Sequence, residues 1–431
     1  MKKSDAQSSN IVKLISSKAM RARDAAAKAL LETFLKQARD RSFIVEYWDG
    51  QSFKQGSGDP SFTVRFKDPS AIWRVMKNPL VEFPEAYVGR TIEVDGSLQE
   101  LVKLSYELVP PRPRFDALKS VAIAHIAPWQ RNSVFNAKRN VAHHYDLGNA
   151  FFQLWLDELM VYSCAYFETE EDDLDVAQRQ KLEYLCNKLE LRPGLSLLDI
   201  GCGWGALALH AAKVHGTKVL GITLSEQQRL SCLDRLRTLA LQDRVDVRLQ
   251  DYRKLQGSKF DRVVSIGMME HIGRPYLPSY MKSVGECLHP DGRGVFQWIS
   301  RDTPGSAPEW IRKRIFPGMY LPTLAEVTSE MAGSGLRVVD VENLRRHYAM
   351  TLDCWSARFE RVNETVMRMY DERFVRMWRL YLNGSAVAFK TGYLNLWQVT
   401  FTRGVVNAGP LTRRGLYEPE AAHRYPDAIV R

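Results

Sequence analysis

The chain has 431 residues, 45% of them hydrophobic and 26% charged, which is ordinary for folded globular proteins and long enough for two or three domains. Its 60 basic residues exceed its 50 acidic ones by a net +10, so an anionic partner is favoured, whether nucleic acid, an acidic substrate or an anionic bilayer surface. No run approaches the roughly 18–20 apolar residues of a membrane span, and the six cysteines are scattered without a CxxC or histidines at ligand spacing, so neither a disulfide framework nor a zinc site is suggested. Any membrane contact is then peripheral, and a reducing cytosol fits. Most of the charge excess falls early, with 23 basic against 16 acidic residues among residues 1–150.

Residues 11–41 place apolar positions near helical spacing with basic residues between them, which predicts a packed helix, a membrane-surface helix being the alternative. The alternating runs "SFIVEYWDG" and "SFTVRFKD" follow, then "AIWRVMKNP" and "FPEAYVGRTIEVDGSLQELVKL", a small α+β pattern. The stiff stretch "LVPPRPRFD", Leu108 to Asp116, reads as a linker. From about Lys181 helices and strands alternate, which predicts an α/β fold with a mostly parallel sheet covered by helices. In order, "KLEYLCNKLEL" reads as helix, "LSLLDI" as strand, "ALALHAAKVHG" as helix and "KVLGITL" as strand. A helix from Ser225 comes next, then strands at "VDVRLQ", "FDRVVSIG" and "GVFQWI". Further on, Trp355, Phe359, Val362, Val366 and Met369 step by three and four, predicting one face of a long helix. Such a stripe is core packing in most proteins, and the wall of an acyl site in the minority.

Two stretches carry chemistry. In "LLDIGCGWG" a buried strand ends on Asp199 and Ile200 and runs into Gly201, Gly203 and Gly205, so the backbone can turn sharply and a ligand can approach the main chain. A dinucleotide site would add an acidic residue at the end of the next strand; here that strand ends in Thr223, Leu224 and Ser225, which weakens the dinucleotide reading. In "VVSIGMMEHIG" an apolar strand stops on Glu270 and His271, where burial of a carboxylate is costly unless something pairs with it. No basic stripe interleaved with aromatics is present, so nucleic acid is not expected as a partner.

The segments "HYDLGNAFFQLWLDELMVYSCAYFE", "LDIGCGWG", "GITLSEQQ", "LQDYRKL", "FDRVVSIGMMEHIG", "IFPGMYLP" and "YLNGSAVAFKTGYLNLWQVTFTRG" run in order across residues 140–405. With them the chain resembles the cyclopropane-fatty-acid-phospholipid synthase family, which includes the mycolic-acid cyclopropane synthases. The resemblance implies a Rossmann-like class I methyltransferase domain over residues 141–410, with helical additions over an acyl pocket. It also implies a small lipid-engaging α+β domain over 1–115, a linker and connecting helix at 116–140 and a tail at 411–431. The implied reaction delivers the methyl group of S-adenosylmethionine to the cis double bond of a phospholipid acyl chain; the carbocation then loses a proton to bound bicarbonate and closes a cyclopropane ring.

For the cofactor, the resemblance implies Asp199, Gly201 and Gly203 near the methionine part, closed over by Tyr162 and Ser163, with Thr223, Leu224 and Gln228 at the ribose and Asp251 and Tyr252 at the adenine. For the bicarbonate it implies Glu270, Cys164 and Ile299, the latter two mainly through backbone, together with Tyr348 and Gln297. The bacterial prototype carries a histidine at the position of Gln297, and a cysteine once suspected as nucleophile corresponds to Ser385. His271 is expected to be a structural hydrogen-bonder, and His143 and His144 are assigned no chemistry. The enzyme is expected in the cytoplasm, peripherally at the inner membrane face, with a homodimer left open. Alternatives are a methyl-branched or methylene product, a small-molecule N-methyltransferase, and a non-catalytic lipid-binding protein.

Overall fold

Short alternating strands with one apolar face can only be stable if that face is covered, and the first part of the chain does this with helices. The computed structural model describes residues 20, 22–108, 147–255, 257–407 and 412–417. The linker from residue 109 to 140, His143, His144, residues 11–19 and most of the tail therefore lie outside the described residues. The chain divides into two compact units.

The first unit comprises Met1–Pro111 together with Met369–Gly384. Strands β1 (Phe43–Glu46), β2 (Ser52–Gln55), β3 (Phe62–Phe66) and β4 (Ile92–Gly96) form one sheet in the order β2-β1-β3-β4. Phe43, Val45, Phe62, Val64 and Phe66 point to one face and are buried, packed against Ala71 and Ile72 of the helix Pro69–Lys77 and Leu104 of the helix Leu98–Leu108. From the distant segment, Arg376 enters the same unit: its guanidinium donates to the carbonyls of Tyr87 at 2.7 Å and Ile92 at 3.0 Å and pairs with Glu93 at 2.7 Å.

The second unit comprises Arg112–Arg368 and Ser385–Arg431. Strands β5 (Ser196–Ile200), β6 (Lys218–Thr223), β7 (Val245–Leu249), β8 (Phe260–Ile266) and β9 (Leu288–Ser300) are linked by parallel pairings. The two-residue strands β10 (Gly305–Ser306) and β11 (Tyr320–Leu321) pair with each other. Strands β12 (Leu336–Asn343) and β13 (Asn395–Arg403) extend the main sheet antiparallel beyond β9, giving the order β12-β13-β9-β8-β5-β6-β7. The mostly parallel sheet expected from the helix–strand alternation is therefore present, with an antiparallel pair on one side. Because the strand order reverses between β5 and β8, the loops after these two strands leave in opposite directions and open a crevice at their carboxyl ends.

The sheet's two faces are covered differently. Leu197, Val264 and Val295 pack with Leu182 and Leu185 of the helix Leu174–Lys188 and with the helix Ala206–Val214, whereas Leu198, Val263, Phe296 and Trp298 pack under the helix Leu277–Cys287. The aromatic stripe corrects one expectation. Instead of one long helix, Arg345–Arg361 ends at Val362, with φ −113° and ψ 8°, and a short helix Asn363–Met369 follows. β-Branched Val362 next to Asn363 places two poor helix residues in succession. Trp355, Phe359 and Val366 remain fully buried, while Met369 is 42% exposed.

Gly205 precedes the helix Ala206–Val214 in a left-handed conformation, φ 82°, and a Cβ there would come within 2.1 Å of the Cys232 sulfur. Strain and overlap combine, so Gly205→Ala should cost about 2 kcal/mol or more. The expected result is a lower midpoint in urea unfolding, partly restored in the double variant Gly205→Ala, Cys232→Ala; an unchanged single variant would contradict the close packing.

Candidate functional site

The loop after β5 turns through Gly201 (φ 83°), Gly203 (φ 54°) and Gly205, a left-handed path that glycine takes without strain. A Cβ on Gly203 would meet nothing within 4 Å, so this side of the loop stands open. Around it lies a cleft lined by Tyr162, Ser163, Asp199, Gly201, Gly203, Thr223, Leu224, Gln228, Asp251 and Tyr252. The structure thus brings together all ten positions assigned to the cofactor, which come from four separate stretches of sequence.

Each wall has a local cause. Thr223 ends β6, and its hydroxyl donates to the Gln228 amide oxygen at 2.8 Å while accepting from the Ser225 amide at 3.2 Å; Ser225 in turn caps the helix Glu226–Thr238. Asp251 caps a short turn after β7, with both carboxylate oxygens taken by the Arg253 guanidinium at 2.6 and 2.8 Å. Tyr252 lies edge-on to Tyr280 at 4.9 Å, and burial pushes its hydroxyl up to about 12.

The fourth wall, residues 160–167, has no regular secondary structure and is held by side chains from two helices. Gln178 of the helix Leu174–Lys188 donates to the Ser163 carbonyl at 2.9 Å, and Lys181 donates to the Ser163 hydroxyl at 2.9 Å. From the other side Thr351 accepts from the Ala165 amide at 3.0 Å, and His347 accepts from the Phe167 amide at 3.1 Å. Tyr162 packs against the fully buried Trp355 at 5.1 Å and Phe152 at 5.3 Å, so the front of the aromatic stripe backs this segment as core.

Nothing in "KLEYLCNKLEL", read simply as a helix, singles out Lys181; the visible signal is a Gln–x–x–Lys pair, Gln178 and Lys181, on an otherwise buried face. Burial lowers its ammonium to about 8, and burial raises the neighbouring Asp199 carboxyl to about 7 against the opposing pull of Lys181. A buried cation and a buried acid thus line one cleft, a pairing suited to the zwitterionic end of an amino acid.

Of the five remaining positions, Glu270 and Ile299 are in direct contact beside this cleft, while Gln297, Cys164 and Tyr348 are linked to them by strand register and backbone contacts. Glu270 lies in the turn Met269–His271 after β8, between Met268 and His271, which line the cleft. One carboxylate oxygen accepts from the Ile299 amide at 2.6 Å; the other, Oε2, is buried with no hydrogen-bond partner. Burial raises the carboxyl to about 7 against the opposing pull of the Ile299 amide and of its own backbone. Ile299 therefore spends its N–H on Glu270. Gln297 stands opposite Ile266 in the β8–β9 register and, with Phe296 and Trp298 facing the other side, is turned toward the face that carries Asp199. Its amide oxygen accepts from Gln398 at 2.9 Å, a partner absent from the sequence reading.

Cys164 and Tyr348 are joined to Ile299 only indirectly, through the backbone of Leu344 and Leu396. Leu344 donates to the Leu396 carbonyl at 2.8 Å, and Leu396 stands opposite Ile299. The Leu344 carbonyl in turn lies 4.0 Å from the Cys164 sulfur and accepts from the Tyr348 amide at 3.1 Å. Tyr348 packs on Phe389 at 4.6 Å. The Cys164 thiol is buried, which raises its pKa well above the ordinary value and keeps it a neutral thiol. His271 is half-buried beside Phe316 and is held neutral, its pKa lowered to about 4 by burial. Ser385 opens the last segment of the second unit and provides no thiol.

Comparison with known proteins bears on this arrangement. A family model described as mycolic acid cyclopropane synthetase matches residues 132–399, and a domain of unknown function matches residues 30–109. A probable fatty acid methyltransferase of Pseudomonas putida is 36% identical over 393 residues, covering 86% of this chain and 95% of its own. The cyclopropane-fatty-acyl-phospholipid synthase of Escherichia coli strain K12 is 35% identical over 355 residues, covering 81% and 90% respectively. Among solved structures, mycolic acid cyclopropane synthase CmaA1 complexed with SAH and CTAB is 32% identical, with a TM-score of 0.57 over 62% of this chain and 98% of that one.

The hold on the irregular wall is testable. Thr351 is fully buried, so Thr351→Val leaves the Ala165 amide without an acceptor and should cost about 1–3 kcal/mol, while Thr351→Ser should cost less than half of that. Thermal unfolding of the two variants against wild type measures the difference.

Proposed function

Because the chain belongs to the mycolic acid cyclopropane synthetase family and is an S-adenosylmethionine-dependent methyltransferase, we propose that it acts on the cis double bond of a phospholipid acyl chain and forms a cyclopropane ring, with bicarbonate as the base. The observation that carries this reading is Glu270: a buried carboxylate with one oxygen anchored to the Ile299 amide and the other unpartnered, at the carboxyl end of a parallel strand beside the cleft. A group of that kind is too costly to keep for stability alone.

When bound, S-adenosylmethionine supplies an electrophilic methyl group and bicarbonate a base that cannot be lost by alkylation of the protein. The chain's own residues do the positioning. Gly201 and Gly203 admit a ligand to the main chain, Lys181 and Asp199 meet the charged ends of its amino-acid part, and Tyr162 and Ser163 close over it from the wall pinned by Gln178 and Thr351. Orientation is the principal contribution, because an alkene is a poor nucleophile. Glu270, through its unpartnered Oε2, would hold the bicarbonate by accepting a hydrogen bond from its hydroxyl, and the bicarbonate would supply the base for proton loss. The neutral Cys164 thiol takes no covalent part, and Cys164, Ile299 and Tyr348 shape the anion's surroundings.

One observation favours a second reading. Gln297 is tied to Gln398 and cannot take up charge, so a different proton loss that leaves a methyl-branched or methylene chain is the nearest rival product.

The membrane role is proposed for the basic first third of the chain, which would hold the enzyme on anionic headgroups. Among the described residues, no helix is long and apolar enough to cross a membrane. Binding to anionic vesicles should weaken severalfold between about 0.05 and 0.5 M salt, since exposed charge is screened; salt-independent binding in a sedimentation assay would contradict the proposal.

The reaction is tested by mass spectrometry of lipids from a bacterial host without its own cyclopropane synthase, where fragmentation after derivatisation separates ring from branch. The wild type should yield cyclopropane acyl chains, and Glu270→Gln should lower turnover about 100-fold or more. Activity should also fall as pH drops below about 7, where Glu270 takes up a proton. Its raised pKa means that protonation favours the folded state, a contribution lost as pH rises through about 7. Above that, Glu270→Gln should therefore match or exceed the wild type in stability, by on the order of 2 kcal/mol. A variant both inactive and strongly destabilised at pH 8 would mark Glu270 as structural.

A further inference from the structure

Behind the cleft, on the face of the helix Leu174–Lys188 opposed to the helix Ala206–Val214, four side chains of metal-ligating type meet. Glu183 and Cys186 are three positions apart and so share one face of their helix. His210 comes from the second helix and His215 from its C-terminal cap. Among the described residues, Cys186, His210 and His215 bring one ligand atom each to within 4.8 Å of one another. Glu183 lies in the same group: its Oε2 meets the Nε2 of His210 at 2.9 Å and that of His215 at 3.2 Å. All four residues are 5% exposed or less.

Two buried atoms of this group have no hydrogen-bond partner, Glu183 Oε1 and His210 Nδ1. These two atoms leave lone pairs unused inside a core where each is costly. A divalent cation uses them. With the Cys186 thiol and the Glu183 carboxyl ionised and both imidazoles neutral, a dication makes the cluster neutral overall, as a dry site requires. On binding the metal the Cys186 thiol gives its proton to solvent.

We infer that Cys186, His210, His215 and Glu183 form a closed, four-coordinate structural zinc site. Sulfur and imidazole donors with no outlet to solvent select zinc over the hard cations. Zinc bond lengths of about 2.0–2.3 Å set ligand atoms roughly 3.3–3.8 Å apart across a tetrahedron, a contraction within reach of rotamer adjustments. The site ties together two helices that frame the cleft. One carries Gln178 and Lys181 to the Ser163 wall; the other begins directly after Gly205.

The full chain, produced in zinc-supplemented medium and dialysed into metal-free buffer, should carry about one zinc per chain by elemental mass spectrometry. Cys186→Ala and His210→Ala should each drop below roughly a tenth of that, while Cys287→Ala, a buried cysteine outside the cluster, should keep the wild-type content. Wild type below about a tenth of a zinc per chain, even after refolding with excess zinc, overturns the inference, as does zinc retained in the double variant Cys186→Ala, His210→Ala. Should those variants fail to fold, the cobalt(II)-loaded wild type decides. Tetrahedral ligand-field bands with a thiolate-to-cobalt charge-transfer band support the site; an octahedral spectrum without the thiolate band overturns it.

Discussion

The strand order of the main sheet reverses between β5 and β8, and this one topological constraint decides where everything else can act. The chain leaving β5 becomes a left-handed glycine loop, and the chain leaving β8 becomes the turn that carries Glu270. Neither loop is a site by itself. The crevice between them acquires walls only because Thr223 ends the next strand, Asp251 caps the turn after the one beyond it, and an irregular segment is pinned beside them by two helices. The site is thus made of strand ends, whose positions a rigid sheet fixes, and one wall without regular structure, whose position depends on a handful of polar contacts.

Those contacts explain an imbalance of polar burial in the second unit. Lys181, Asp199, Asp157 and Glu270 are all buried, and burial shifts each toward its neutral form. Asp157 has a structural task, accepting from the amides of Leu159 and Val161 at 2.9 Å and so starting the irregular wall. Lys181 and Asp199 lie at the cleft floor. Glu270 has only half of its hydrogen-bonding capacity engaged, which separates it from the others and makes the ligand-directed reading of its second oxygen the economical one. Stability is given up at that position, and the surrounding close packing of Phe296, Trp298 and Tyr280 supplies the margin.

Much of this was legible in the sequence where local chemistry and local structure coincide. The helix starting at Ser225, the helix in "ALALHAAKVHG" and the buried run into Asp199 each follow from propensity and spacing, and the structure places them as read. Motif segments carried the rest of the cleft, since all ten of its named positions fall on its lining. Pairings made across the fold were not legible. Gln297 reads as a lone polar residue in a strand until Gln398 is set beside it by the antiparallel register of β9 and β13. Val362 reads as part of a continuous stripe, because apolar periodicity survives a break in the backbone. Glu183, Cys186, His210 and His215 show no ligand spacing, since they come from two helices joined by a strand and a loop.

The guanidinium of Arg376 adds a consequence for how this chain can be taken apart. It stands about 280 residues downstream of the Tyr87 and Ile92 carbonyls it satisfies and of the Glu93 carboxylate it neutralises. The small sheet and its helices are therefore one folding unit in space but two pieces in sequence. A recombinant fragment ending near residue 111 would present those acceptors without their cation, and a chimaera that exchanges this module between relatives must carry residues 369–384 with it to keep the graft self-consistent.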